Sequence, residues 1–384
     1  MSLYIIFFIL LIPFSYTPLF VFLFLALFVI LIEKIRFQKL EVYELFFIFY
    51  FLFSFSTIII SGDIQRAFNL VLFNALLIIS YVAIISYIKN INIIRFFDRL
   101  YVALKLYVYI SIILFIMGVI AYYVLHIPLD SSANIFGLHV DDIRPRFNGL
   151  ATSPSTYGLI AMGFLLLGIT TKKITSFNIV LVLLTMFLTI SWTVYLTFFS
   201  TFIIYSLLKK KYKILFSIVF SITTFIGLGV YFINTNEVLK NIIEYRIDNL
   251  MSGTHRFQIW EMAFNSINEY LLLGRGYNYT PVFLKEMMGE NSLSSLHNVF
   301  VQLLFEQGLV GVILFFLFFF SALFKSFKVI KYNENTAFLF YWMIVLFIQM
   351  NAAIVIYSPN FLLFFIILKK ITLTQQQGNK NETK

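Results

Sequence analysis

Long apolar stretches separated by short polar breaks repeat along almost the whole chain, and many exceed the roughly 20 residues that a bilayer core requires. Reading hydropathy against those breaks predicts about twelve transmembrane helices, near residues 2-14, 16-33, 41-61, 66-88, 100-125, 149-168, 174-190, 191-208, 212-234, 296-323, 336-356 and 358-370. The first pair, parted by Pro13 to Pro18, and the runs cut near Ser191 and Ser358 would each also serve as one long tilted helix, which lowers the count toward ten. The opening run, residues 3 to 32, is too long and too proline-interrupted for a cleaved signal peptide and is expected to stay attached.

The pattern therefore predicts an all-α polytopic membrane protein: a single integral domain over residues 1-371 with a polar cytoplasmic tail at 372-384, expected to be disordered. Two polar segments interrupt the membrane domain, at 126-148 and 235-295, and the second is a large loop of its own. Composition agrees: 61% of residues are hydrophobic, 12% are charged, and mean hydropathy is +0.92. Of the 28 Lys and Arg, all but Arg66, Arg144, Arg146, Lys240, Arg246, Arg256, Arg275 and Lys285 fall on one side when the N-terminus is put inside. Positive loops stay cytoplasmic, so both termini are expected in the cytoplasm and both long loops outside. The net charge of +10 then follows from topology and the bilayer surface, with no nucleic-acid partner. The chain has no cysteine, which removes thiol catalysis and cysteine metal sites.

In the large loop, THRFQIWEMAFNSINEYLLLGRG reads as an amphipathic helix from Thr254 to a glycine stop at Gly274. Its stripe of Phe257, Trp260, Phe264, Ile267 and Leu271 suits the membrane surface. His255 and Arg256 occupy the first turn, where unsatisfied N–H groups and the helix dipole favour an anion and arginine adds a forked clamp. Arg144 and Arg146 end the shorter loop just before a Gly-, Pro- and Ser-rich stretch that opens a span, which suits gripping a lipid headgroup. Such arginines also serve as plain interfacial anchors, as does Arg275 after the helix. Asp141 and Asp142 lack any histidine at metal-ligand spacing and read as a solvated pair, so no metal site is expected.

The segment SSLHNVFVQLLFEQGLVG places Asn298, Gln302 and Glu306 at four-residue steps on one helix face, with His297 at the water boundary. An intramembrane carboxylate is costly, which makes Glu306 a candidate for function, or else for hydrogen-bonding backbone at a kink beside Gly308 and Gly311. His297, beside a loop rich in arginines, is a candidate general base. Apart from Glu306 the spans read as almost charge-free.

These residues carry a resemblance. Arg256-x-x-x-Trp260-x-x-Ala263, Leu-Gly-Arg-Gly at 273 to 276, His297-Asn298 and Glu306-x-Gly308-x-x-Gly311 resemble the signature region of the O-antigen polymerase and O-antigen ligase superfamily, and Arg146-x-x-Gly149 with Pro154 is similar to a second segment there. The resemblance implies a C-type membrane glycosyltransferase-like fold and a metal-independent, inverting enzyme without cofactor in the bacterial cytoplasmic membrane. The reaction it implies is polymerisation of undecaprenyl-diphosphate-linked oligosaccharide repeats at the outer face, with a flippase and a chain-length regulator as partners. The alternatives are a ligase that moves the glycan to a lipid or protein acceptor and, from another class, a flippase for the lipid-linked sugar. Carried over, Arg256 and Arg146 hold the diphosphate, with Arg144 and Arg275 in support. His297 serves the acceptor hydroxyl, Glu306 orients the His297 region, and His255, Asn298 and Gln302 are supporting. One departure stands out: many members carry Ser-Arg at the outer end of a central span, where this chain has Ser191-Trp192.

Overall fold

The computed structural model describes residues 3–11, 38–127, 134–141, 144–213, 216, 223–224, 256–289, 295–330, 334–351 and 359–382. In chain order the helices are α1 (Leu3–Leu11), α2 (Val42–Ser56, extended by a 3-10 turn to Ile60), α3 (Ile64–Ile88) and α4 (Ile93–Tyr123). A small sheet of β1 (Asn134–Ile135), β2 (Leu138–Asp141) and β3 (Arg144–Phe147) follows, then α5 (Pro154–Thr170), α6 (Ser176–Leu188) and α7 (Trp192–Leu208). The C-terminal part holds α8 (Arg256–Asn265), α9 (Thr280–Met288), α10 (Val299–Ile330), α11 (Ala337–Gln349) and α12 (Pro359–Glu382). The predicted spans at 16-33 and most of 212-234 lie outside the described residues, as does His255.

Four stretches, Val42–Ile60, Ile64–Ile88, Ile93–Tyr123 and Val299–Ile330, are long and apolar enough to cross a membrane. With the shorter apolar helices α5, α6, α7 and α11, they make this a mostly helical, polytopic membrane protein. Local chemistry sets the boundaries. Asp63 caps α3 by accepting from the Arg66 N–H, Asn92 caps α4, and Ser153 caps α5 with Pro154 at its first position. The Asn92 cap starts α4 seven residues before the predicted span, so its first turns carry Arg95 and Arg99.

Three expectations need correction. The protein is not all-α, because β1, β2 and β3 form an antiparallel sheet in the 126-148 loop. The polar tail is not irregular from residue 372, since α12 runs on to Glu382. The spans are not free of charge apart from Glu306. Lys369 in the middle of α12 and Glu44 in the first turn of α2 are both buried and 2.5 Å apart, where Tyr81 also donates to Glu44. A carboxylate and an ammonium can sit there because they satisfy each other and because Lys369 also donates to the Lys39 carbonyl.

Helix packing follows the membrane rule that close backbone approach and dispersion replace the hydrophobic drive. α5 is the most enclosed helix: Gly158 lets Val194 of α7 approach, and Gly163 lies against the Trp342 ring of α11, whose indole N–H donates to Leu159 O at 2.8 Å. α2 packs along α10, and α12 lies against α3. The cut predicted near Ser191 is present: α6 ends at Leu188, and Ile190, at φ 47°, turns the chain into α7.

Candidate functional site

The two polar segments of the chain gather the polar chemistry. In the sheet, β2 and β3 pair Leu138 with Phe147 and His139 with Arg146. Alternation then sends the buried Leu138 and Phe147 to one face and puts His139 and Arg146 on the other. The turn after β3 is seated on α4: Asn148 and Gly149 both donate to Gly137 O, and Ser111 Oγ accepts from Leu150 N at 3.1 Å. The sheet is thereby a rigid mount for Arg146. Its guanidinium reaches the α6–α7 corner, where Nε donates to Thr189 O at 3.1 Å and Nη2 to Ile190 O at 3.3 Å. Carbonyls at a helix C-terminus are a natural seat for a cation. Arg146 thus stands at the Ser191-Trp192 corner, the position where the resembled family carries a basic residue.

Arg256 opens α8, and His297 precedes α10 by two residues. α8 is held against the start of α10 by Ile259, Ala263, Leu296 and Phe305, and by the Trp260 indole, which donates to Leu296 O at 2.7 Å. This docking explains why the stripe read as lipid-facing is split. Of its residues Phe257 and Phe264 stay exposed while Trp260 turns to Leu296, and Ile259 and Ala263, outside the stripe, face the protein. It also explains why the helix stops at Asn265 rather than at Gly274: the following residues turn back to meet α10.

Arg146, Arg256 and His297 interact electrostatically in series. Burial and the neighbouring Arg146 lower the pKa of Arg256, and burial together with Arg256 pushes the His297 imidazole down to about 4. His297, two residues before the membrane-spanning helix, is therefore neutral at pH 7. Its backbone has φ 53°, an uncommon conformation for a residue with a Cβ and one that tends to persist where the surroundings impose it. Two guanidinium groups coupled in this way to a neutral imidazole have the chemistry to attract an anion and to receive a proton.

Glu306, Gln302 and Asn298 have different duties. Asn298 caps α10, its Oδ1 accepting from Phe300 N and Val301 N. Glu306 is fully buried and accepts from Asn278 N, Thr280 N and Gln302 Nε2, at 3.2, 3.3 and 2.9 Å. These hydrogen bonds tie the start of α9 to α10. Beside them α10 breaks at Gly308, whose φ of 63° and ψ of −165° are not helical. The freed backbone is satisfied by the external chain: Arg275 N donates to Phe305 O, Gly276 N to Glu306 O, Leu309 N to Leu271 O and Val310 N to Leu272 O. Irregular backbone at this depth persists because protein supplies the missing partners. The Leu-Gly-Arg-Gly and Glu-x-Gly-x-x-Gly signatures are the two sides of this junction.

Arg275 belongs to that junction as well, stacked 3.3 Å from the Tyr270 ring centre and lining an external cavity with Ile60 and Gly62. Arg144 starts β3 opposite Asp141, and its side chain lies outside the described residues. Among the described residues, no three His, Asp or Glu side chains gather as a metal-binding group. His139, cross-strand from Arg146, and the Thr189 and Ile190 carbonyls were not anticipated from sequence. The alternation in LHV and RPRF around an intervening turn is the signal that would have found the pairing.

The O-antigen ligase family matches residues 177–316, which run from α6 through the large loop to the middle of α10. That likeness covers a little over a third of the chain and supports the resemblance to the O-antigen polymerase and ligase superfamily. No curated protein matches the chain. The matched residues include Arg256, the glycine junction, His297 and Glu306, whereas Arg146 and its sheet precede them.

Proposed function

We propose that this protein is a membrane glycosyltransferase that polymerises undecaprenyl-diphosphate-linked oligosaccharide repeats at the outer face of the bacterial cytoplasmic membrane. The observation that carries the reading is the series Arg146–Arg256–His297, two clustered cations and a neutral imidazole on the loop side of a membrane bundle. In this reading the chain crosses the membrane ten to twelve times with both termini in the cytoplasm, and the series lies outside, where a lipid-linked glycan presents its head.

In the proposed reaction, an acceptor hydroxyl oxygen attacks the anomeric carbon of the donor sugar from the face opposite the diphosphate, so the configuration inverts. The anomeric carbon–oxygen bond breaks and its electron pair leaves on the undecaprenyl diphosphate. Arg146 and Arg256 stabilise the growing charge without a metal, commonly the larger contribution, and His297 takes the hydroxyl proton. A diphosphate between the arginines offsets the charge that holds His297 down, so donor binding raises the basicity of the group that needs it. Glu306, Gln302 and Asn298 position the loop and the start of α10, and Arg275 acts from the junction.

The ligase reading is the second, favoured by the description of the matched family. Deletion followed by glycan profiling separates them. Loss of a polymerase leaves a single repeat on the final acceptor, and loss of a ligase leaves long glycan on undecaprenyl carrier. Neither pattern would appear if the protein only moved the lipid-linked sugar across the membrane.

A further inference from the structure

A second feature lies on the other side of α10. α2, α3, α10 and α12 enclose a crevice of about 100 Å³ whose walls are almost wholly apolar, with Phe51, Leu77, Phe315, Phe318 and Phe361 among them. It runs along α2 from Leu40 to Ser54, about 20 Å at the helical rise. Protein interiors are close-packed, and an apolar space of this kind does not hold water, so its natural occupant in a bilayer is hydrocarbon.

The two ends differ. The inner end stops at Glu44 and Tyr81. The outer end reaches Asn74, which donates to the Tyr277 hydroxyl at 2.6 Å. The residues flanking Tyr277 lead outside. Arg275 and Tyr279 line a cavity of about 600 Å³ with Tyr270, and across the Gly62–Tyr279 contact a second cavity of about 760 Å³ is lined by Arg66 and Lys285 together with Asp63 and Glu286. Both volumes fall in the range of small-molecule sites. The Arg275 guanidinium suits a phosphate, the tyrosine rings and the mixed acids and bases of the second cavity suit a hydroxylated sugar, and the two cavities together offer more room than a glycerophosphate head needs.

We infer that the α2–α3 crevice and the cavities above it bind a second polyprenyl-diphosphate glycan, the acceptor, with its chain between the helices and its head at Arg275, Arg66 and Lys285. The inference rests on the polymerase reading, in which both donor and acceptor carry a lipid. The donor lies at Arg146 and Arg256, and α10 with its knitted loop stands between the two sites. Arg275 then acts on the acceptor rather than on the leaving diphosphate.

The test is photocrosslinking in nanodiscs with two probes, an undecaprenyl-diphosphate disaccharide and a phosphatidylglycerol, each with a diazirine in its chain. The diphosphate probe is expected to label residues 42–88, and unlabelled diphosphate glycan, but not excess phosphatidylglycerol, should suppress that labelling. Leu77→Trp and Ile78→Trp, two independent ways to fill the crevice, should each reduce labelling there at least fivefold while keeping labelling near Arg256. Labelling of α2 and α3 by the phosphatidylglycerol probe alone, no labelling by either probe, or labelling indifferent to both tryptophans would overturn the inference. Arg256→Gln separates it from the parent reading: that variant should keep the α2–α3 labelling while losing elongation. Elongation that survives Arg256→Gln would count against the parent reading and leave the crevice result standing.

Discussion

A Cβ on Gly308 would stand 2.3 Å from the carbonyl oxygen of Leu272, so the break in α10 and the external loop are fitted to each other at the level of backbone atoms. Gly274 meets the same limit from the other side, where a Cβ would lie 2.3 Å from Glu306 O and Gln307 N. Gly308 also has backbone angles that only glycine adopts readily. Gly308→Ala is expected to lower stability by about 1–3 kcal/mol from the backbone alone, with more from the clash. Thermal unfolding in detergent checks this, and a variant as stable as the parent would refute the junction.

Glu306 is expected to behave as a positioning residue. Glu306→Ala leaves the Asn278 and Thr280 N–H groups and the Gln302 amide without their acceptor, at about 1–3 kcal/mol for each buried donor. Loss of activity should therefore come with a lower unfolding temperature and faster proteolysis of the 270–290 loop. A stable Glu306→Ala protein with a normally protected loop and no activity would instead give Glu306 a direct chemical role.

The pH behaviour of His297 follows from its neighbours. Its pKa of about 4 against an ordinary 6.5 means that the unfolded chain binds a proton the folded protein refuses between those values. Folded stability from this group is thus complete above about pH 6.5 and falls as pH drops toward 4. In the folded protein without substrate, the imidazole should titrate near pH 4 by NMR, and Arg256→Gln, by removing a nearby cation, should raise that midpoint. A midpoint near 6.5 in both proteins would show that the two residues are not neighbours.

Much of this was legible in the sequence, and the reasons differ by element. The spans α2, α3, α4 and α10 were readable because a bilayer imposes a length and an apolar composition that few other structures need. Arg146, Arg256 and His297 could be nominated together because cations beside a histidine in polar loops have little structural reason to recur, and the structure couples them electrostatically in series. The sheet under Arg146 was missed because its strands have four residues or fewer, so the alternation in LHV and RPRF is a short signal easily passed over beside the long apolar runs. The amphipathic helix was drawn too long because its stripe continues past Asn265, while pairing of 271–276 with α10, a contact across about thirty residues, ends the helix there. Glu44 and Lys369 were overlooked as a pair because more than 300 residues separate them.

Arg146→Lys tests the corner between α6 and α7. Lysine keeps the charge but cannot donate in a fork to Thr189 O and Ile190 O, so activity should fall at least tenfold while the protein remains folded. Arg146→Ala should fall further. Equal activity in the lysine variant would reduce Arg146 to a diffuse positive charge.

The central claim is that Arg146 and Arg256 grip the diphosphate of a lipid-linked glycan. The most direct test is equilibrium binding of an undecaprenyl-diphosphate disaccharide to the purified protein in nanodiscs with metals chelated. At a typical 1.5–3 kcal/mol for a charge-assisted hydrogen bond, Arg146→Gln and Arg256→Gln should each weaken binding at the high-affinity site by about tenfold to a hundredfold. Affinity unchanged in both variants would contradict the account.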